Sequence, residues 1–320
     1  MSVKASVLKI LEENPGKSCS GEEIAGQLSV TRAAVWKAVR ALIADGCEIE
    51  SCPSHGYRLI SHGSMLCESG IQAFLKSDNI EIIVLDTVDS TNNYAKTHPS
   101  DKISLITADS QTGGRGRRGR SFFSPKGSGI YMSLILHPDT AMPTLVTVAA
   151  AVAVARTIER ISGRKADIKW VNDIFLGGKK VCGILSEAVF GMESGTIDSV
   201  IVGIGVNLST EAFPDEITGV AGSVFPDNAS RCEVIADITN NLLALCNDLS
   251  APELIKEYKS RMFILGRQIE YTKNGSAFSG IAEDINSQGN LIVRLSDGTD
   301  VLSSGEVSLK SAVFAASENE

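Results

Sequence analysis

One ten-residue run holds most of the groups in this chain that could handle an anion. QTGGRGRRGR, residues 111–120, sets four arginines among four glycines in a chain whose formal net charge is -8. Guanidiniums fork onto carboxylate and phosphate oxygens, and glycines let a backbone wrap closely round a ligand with its N–H groups turned inward. That combination suits a phosphoryl group. Contact with nucleic acid and plain solvated surface stay open beside it. Nucleic-acid segments of this composition are usually long and repeated, whereas this one is single and returns at once to SFFSPKGSGIYMSLIL. The run matches neither GxxxxGK followed by Ser or Thr nor the glycine spacing of a dinucleotide fingerprint. Its arginines repel one another in the absence of an anion, so the empty loop is expected to be mobile and to order on its ligand.

Three further polar clusters carry candidate ligand groups. DSTN, residues 89–92, places four hydrogen-bonding side chains where a strand meets a helix, although an N-cap role explains Asp89 or Ser90 alone. KWVND, residues 169–173, is followed by GGKK at 177–180. GIGVNL, residues 203–208, has two glycines that let the backbone approach a ligand, with Asn207 as its side-chain amide. An ordinary bulge would also contain GxG.

The elements that would position these clusters follow from periodicity. Strands are expected at 81–88, 103–109, 129–136, 166–171, 181–190 and 199–208, and helices at 90–97, 143–161 and 233–264 with a break near Ser250. A short helix is expected near 67–76. Strands interleaved with helices make a mixed α/β domain, with polar residues at strand ends where such folds place ligands. The apolar run AMPTLVTVAAAVAVA is too short for a membrane span and reads as a buried helix entered at Pro143.

Upstream, residues 3–13 read as a helix stopped by Asn14-Pro15-Gly16. Ser20 with Glu23 forms a capping box, and Thr31 caps a third helix ended by Gly46. Two short strands around Pro53–Gly56 complete a winged helix-turn-helix pattern. The start and outer face of the third helix present Ser29, Thr31, Arg32, Lys37 and Arg40, which can reach DNA bases or phosphates. A dimer on a two-fold site is the expected binding form, and a non-DNA docking module is the competing use of this pattern. Residues 1–62 carry seven basic and seven acidic side chains, so the net charge lies in the remainder. Downstream, short strands in RQIEYT, AFSGIAEDI, GNLIVRL and TDVLSSGEVSL suggest a small β-barrel over 266–320, with AASENE a frayed tail.

Composition fits a folded, multi-domain protein: 320 residues, 43% hydrophobic and 21% charged. The seven cysteines are odd in number and contain no CxxC pair, which argues against a disulfide scaffold or a zinc site. The first residues do not read as a signal peptide, and a cytoplasmic location is expected.

The order DSTN, QTGGRGRRGR, KWVNDI, KKVCGILSE and GIGVNL resembles the biotin protein ligase family. With the N-terminal module attached, the chain resembles the bifunctional biotin ligase and biotin operon repressor of bacteria. The resemblance implies a winged helix-turn-helix over 1–62, a ligase domain over 63–265 and an SH3-like barrel over 266–320. It implies ATP-dependent formation of biotinyl-5′-adenylate and transfer of biotin to one lysine of a biotin carboxyl carrier protein. It also implies repression of biotin genes by an adenylate-bound homodimer on operator DNA.

By the same resemblance, Ser90, Thr91 and Gln111 hold the biotin ureido ring, with Asn92 beside them and backbone help from Arg115. Gly114, Arg115, Gly116, Arg117 and Arg118 belong to the loop that closes over biotin and the adenylate phosphate. Arg117 retains the intermediate, and Lys180 meets the biotin carboxylate and the phosphate. Gly203, Gly205 and Asn207 are carried over as adenylate-binding. Arg120, Lys169, Trp170, Asn172 and Asp173 lie on the nucleotide side. Mg²⁺ is expected to be held mainly by ATP phosphates rather than by a protein cage. Val171 stands where many members have proline. The alternative is a winged-helix regulator that senses a small anionic ligand without catalysis.

Overall fold

The computed structural model describes residues 3–52, 56–61, 63, 65–137, 143–191, 196–226 and 229–309. They divide into two compact units, Met1–Phe74 with Ser230–Glu233, and Leu75–Ala229 with Val234–Glu320. The expected turn at Pro53–His55 and the tail AASENE lie outside the described residues.

The first unit contains α1 (Val3–Glu12), α2 (Gly21–Leu28), α3 (Arg32–Ala44), β1 (Glu48–Cys52), β2 (Gly56–Ser61) and α4 (Glu68–Gln72). Its local signals act as read. Glu23 N donates to Ser20 Oγ at 3.1 Å, and Ser20 N donates back to Glu23 Oε2 at 2.9 Å. Thr31 Oγ1 accepts from Ala34 N at the start of α3. Val7, Leu11, Ile24, Val35, Val39 and Leu42 are buried together and hold the three helices as one core. β1 and β2 pair antiparallel as the wing. This is a winged helix-turn-helix.

The second unit is built on a mixed seven-stranded sheet. Its elements run β3 (Glu81–Val88), α5 (Thr91–Thr97), β4 (Ser104–Gln111), β5 (Gly129–Leu136), α6 (Pro143–Ser162), β6 (Asp167–Lys169), β7 (Asp173–Leu176), β8 (Lys179–Phe190) and β9 (Ile197–Asn207). Then come α7 (Asp215–Thr218), α8 (Arg231–Cys246), which starts among residues of the first unit, and α9 (Pro252–Ser260). The spatial order is β3-β4-β5-β9-β8-β7-β6, parallel between β3 and β4 and antiparallel elsewhere. The alanine-rich α6 begins at Pro143 and is buried along most of its length against β6 to β9. The four-residue β7 was not read from the sequence, because a strand that short has no resolvable period.

The C-terminal segment corrects an expectation. β10 (Gln268–Lys273), β11 (Ser276–Ile285), β12 (Leu291–Arg294), β13 (Thr299–Leu302) and β14 (Val307–Leu309) form a sheet of order β13-β12-β11-β10-β14. The sheet is open, so this segment is not a β-barrel. The strand segment TDVLSSGEVSL breaks after Leu302 into β13 and β14. Its two halves end on opposite edges, one paired with β12 and the other with β10.

Candidate functional site

The polar clusters converge on one open cleft of the second unit, whose space, counted out into the solvent at its mouth, is about 930 Å³. Its inner end is set where parallel β3 and β4 finish side by side. The chain leaving β3 turns at Ser90 into α5, whose first residues Thr91 and Asn92 are buried with Ser90. Ser90 is the N-cap of α5, but its side chain makes no capping hydrogen bond. Gln111 ends β4 and accepts on Oε1 from Thr91 N at 2.9 Å and from Thr91 Oγ1 at 3.3 Å. Its Nε2 donates to Ser124 Oγ at 2.9 Å. Asn92 Nδ2 donates to Leu185 O and to Glu187 Oε2, while Asn92 Oδ1 accepts from Ser133 Oγ at 2.6 Å. These bonds fix a row of amide and hydroxyl groups, the equipment needed to recognise a flat polar ring.

The glycines of β9 have a more specific reason than closeness to a ligand. A Cβ on Gly203 would stand 2.2 Å from Asn92 Oδ1, and one on Gly205 would stand 2.6 Å from the Phe122 ring. The two missing side chains leave the space that Asn92 and Phe122 occupy.

The arginine-glycine run folds over the cleft with a short 3-10 turn at Arg117–Gly119, where Arg118 takes the left-handed φ of 54°. Arg115 Nη1 donates to Asn93 Oδ1, and its Nη2 lies 3.5 Å from Glu187 Oε1. Arg117 donates to Asn172 Oδ1 at 3.1 Å, and Asn172 Nδ2 donates to Ile184 O. Arg120 pairs with Glu306 at 2.7 Å. Arg118 also lines the cleft and is exposed.

At the outer end Lys180 Nζ lies 2.7 Å from Asp173 Oδ1. Lys169 and Trp170 line the same wall, and Trp170 Nε1 donates to Gly289 O. Burial lowers the Lys169 ammonium and the Arg117 guanidinium below their ordinary pKa values, partly offset by Asp173 and Glu306. Six cationic side chains therefore face the cleft against the carboxylates of Asp173 and Glu306. An anion bound here would relieve repulsion among the cations. Among the described residues no group of three or more His, Cys, Asp or Glu is placed to hold a metal ion.

Of the residues singled out from sequence, Ser90, Thr91, Asn92, Gln111, Arg115, Gly116, Arg117, Arg118 and Arg120 line the cleft. So do Lys169, Trp170, Asn172, Asp173, Lys180, Gly203 and Gly205. Gly114 and Asn207 do not. Gly114 is buried against Phe122 O and Ser124 Oγ, and Asn207 donates to Gly222 O. Sequence reading missed Phe122, Ser133, Glu187 and Glu306. Ser133 and Glu187 gain their places through the register of β5 and β8, and Phe122 lies in the segment before β5 with its ring over Gly205. Glu306 comes from the link between β13 and β14, 186 residues from the Arg120 it meets.

On the first unit Thr31, Arg32, Lys37 and Arg40 are exposed at the start and outer face of α3, and Ser29, the C-cap of α2, is exposed in the turn just before it. Trp36 is 55% exposed beside them, with the Arg40 guanidinium 5.9 Å from its ring centroid.

Three family models match along the chain: HTH domain at residues 4–58, Biotin/lipoate A/B protein ligase family at 84–207, and Biotin protein ligase C terminal domain at 264–310. The bifunctional ligase/repressor BirA of Bacillus spizizenii is 31% identical over 325 residues, covering 96% of this chain and 99% of that one. The BirA of Escherichia coli is 27% identical, covering 93% and 94%. Among solved structures, biotin protein ligase from Aquifex aeolicus in complex with biotin and ATP superposes with a TM-score of 0.62 at 27% identity. That match covers 72% of this chain and 98% of the other.

Proposed function

This chain belongs to the bacterial BirA-like family of bifunctional biotin ligase/repressors, and from that premise we propose how its cleft works. The activity is ATP-dependent ligation of biotin, and the observation that carries the reading is the pairing of a neutral polar end with a cationic end in one cleft. The ureido ring sits against Ser90, Thr91 and Gln111, with Asn92 shaping the wall behind. The valeryl carboxylate then points toward Lys180.

In the first half-reaction a carboxylate oxygen of biotin attacks the α-phosphorus of ATP and pyrophosphate leaves. Two anions must approach, so the cost is electrostatic. Lys180 offsets the charge that builds on the carboxylate and phosphoryl oxygens, and Arg117 and Arg118 approach the same centre from the loop. Asp173 holds Lys180 in place. Lys169, Asn172 and Arg120 lie on the nucleotide side, and Trp170 closes the wall there. Asp173 and Glu306 are the carboxylates present to meet Mg²⁺ arriving with ATP, an ion that offsets phosphate charge. The product is a mixed anhydride prone to hydrolysis, so a loop that excludes water protects it. In the second half-reaction an acceptor lysine attacks the acyl carbon and AMP leaves. No covalent intermediate with the protein is needed.

The acceptor is a biotin carboxyl carrier protein, and the winged helix reads operator DNA through Arg32, Lys37 and Arg40 with Ser29 and Thr31 at the helix start. The DNA-bound form is an adenylate-loaded homodimer, and the location is cytoplasmic. Among the described residues no helix is long and apolar enough to cross a membrane. The test is incubation with ATP, Mg²⁺, biotin and a carrier protein. The reading requires one biotin on one carrier lysine by mass spectrometry, and scattered or absent biotin would overturn the acceptor assignment.

A further inference from the structure

The seven cysteines look scattered in sequence, yet the first compact unit brings three of them together. Cys47, Cys67 and Cys232 are all buried there. Cys67 stands at the N-cap of α4 and makes no side-chain cap bond, while Cys232 is the second residue of α8. The Cys232 thiol donates toward Met65 O at 3.2 Å and Cys67 O at 3.8 Å. A Cβ added to Gly70 would be 3.0 Å from the Cys67 sulfur and 3.0 Å from the Cys232 sulfur. The two sulfurs thus converge on a position of α4 that has no side chain.

We propose that Cys67 and Cys232 form a reversible disulfide when the chain meets a hydroperoxide, tying the segment after the wing to the start of α8. The Cys232 thiolate attacks one peroxide oxygen, the O–O bond breaks, and the other oxygen leaves as an alcohol or water after taking up a proton. Cys232 is then a sulfenic acid. The Cys67 sulfur attacks it, the S–O bond breaks, and water leaves with the Cys67 proton. Two thiols are oxidised to one disulfide, and one hydroperoxide is reduced to an alcohol and water.

The surroundings separate Cys232 from Cys47. The hydrogen bond from Cys67 lowers Cys232 to about 7 against the opposing effect of burial, with Arg231 helping. Burial pushes Cys47 up to about 12, so it stays protonated and unreactive. Disulfides that form in cytosolic proteins are mostly transient, catalytic or redox-sensing. Neither Cys67 nor Cys232 lines the ligase cleft.

The test uses the full chain, freed of reductant and treated with hydrogen peroxide, with thiol counting and mapping of cross-linked peptides by mass spectrometry. The expected result is loss of two thiols per chain, a Cys67–Cys232 cross-link, and its reversal by dithiothreitol. In Cys67→Ser, Cys232 should persist as a sulfenic acid captured by dimedone. In Cys232→Ser, oxidation at Cys67 should slow by about tenfold or more. Retention of all thiols, over-oxidation of Cys232 without a cross-link, or pairing of either cysteine with Cys47 would overturn the proposal. The wild-type map decides the matter even where a variant fails to fold.

Discussion

Lys180 and Asp173 face each other from adjacent antiparallel strands, ammonium to carboxylate at 2.7 Å. The pair stands at the cationic end of the cleft, where an attacking carboxylate and a phosphate must meet. Replacing Lys180 by Ala removes the charge that favours the transition state more than the ground state. Adenylate formation should slow by about 10²–10³-fold, the usual cost of losing one such group, with a much smaller change in biotin affinity. Single-turnover formation of adenylate beside a biotin titration separates the two effects.

Arg117 reaches Asn172 across the cleft mouth, closing the loop over the place assigned to the intermediate. Arg117→Gly should let the mixed anhydride escape. The readout is biotin appearing on lysines of an unrelated bystander protein. If bystander labelling stays at the wild-type level, the retention role of Arg117 is wrong.

Gly203→Ala is a change of one methyl at a position with no room for it, since that carbon would stand 2.2 Å from Asn92 Oδ1. Asn92 would have to give up Ser133 or Glu187. If the cost of the disrupted buried network, about 1–3 kcal/mol, falls on the bound state, biotin binding measured by calorimetry should weaken by about fivefold to a hundredfold. Unchanged affinity would show that Asn92 does not shape the ureido end.

Glu187 links that network to pH. Burial pushes its carboxyl up, but Lys96, Asn92 and Arg115 outweigh burial and hold it below its ordinary 4.5. A carboxyl whose folded-state pKa is depressed adds stability that is complete above the unfolded value and lost as pH falls through the folded one. Glu187→Gln should therefore lose less stability than wild type as pH drops below about 4.5. Denaturant titrations at several acidic pH values check this, and parallel curves for the two proteins would remove Glu187 from the account.

The exposed Arg32 and Lys37 of α3 should matter to DNA and not to ligation. Each Ala variant should weaken operator binding and lower its salt slope by about one if the lost contact is to phosphate. Biotin-dependent adenylate formation should be unchanged. Loss of both activities together would contradict the division of labour between the two units.

What could be read in advance was local or compositional. Ser20 with Glu23, Thr31 and Pro143 announce helix starts through the backbone groups next to them. The arginine-glycine run and KWVND carry enough unusual chemistry to be noticed alone. What escaped depends on register and on distant chain segments. Phe122 lies over Gly205 and Asn92 over Gly203 only because β9 runs between β5 and β8. Asn207, expected from sequence as a ligand group, donates to Gly222 O and is not among the residues lining the cleft. The barrel failed for a similar reason, because alternation within a strand says nothing about whether the first and last strands meet.

Exchange of labelled pyrophosphate into ATP, run with biotin or with lipoate on wild-type and Lys180→Ala proteins, tests the central claim most directly. Exchange with biotin and not lipoate, lost in Lys180→Ala, is the predicted result. No biotin-dependent exchange in the wild type, or undiminished exchange in Lys180→Ala, would contradict the account of the cleft.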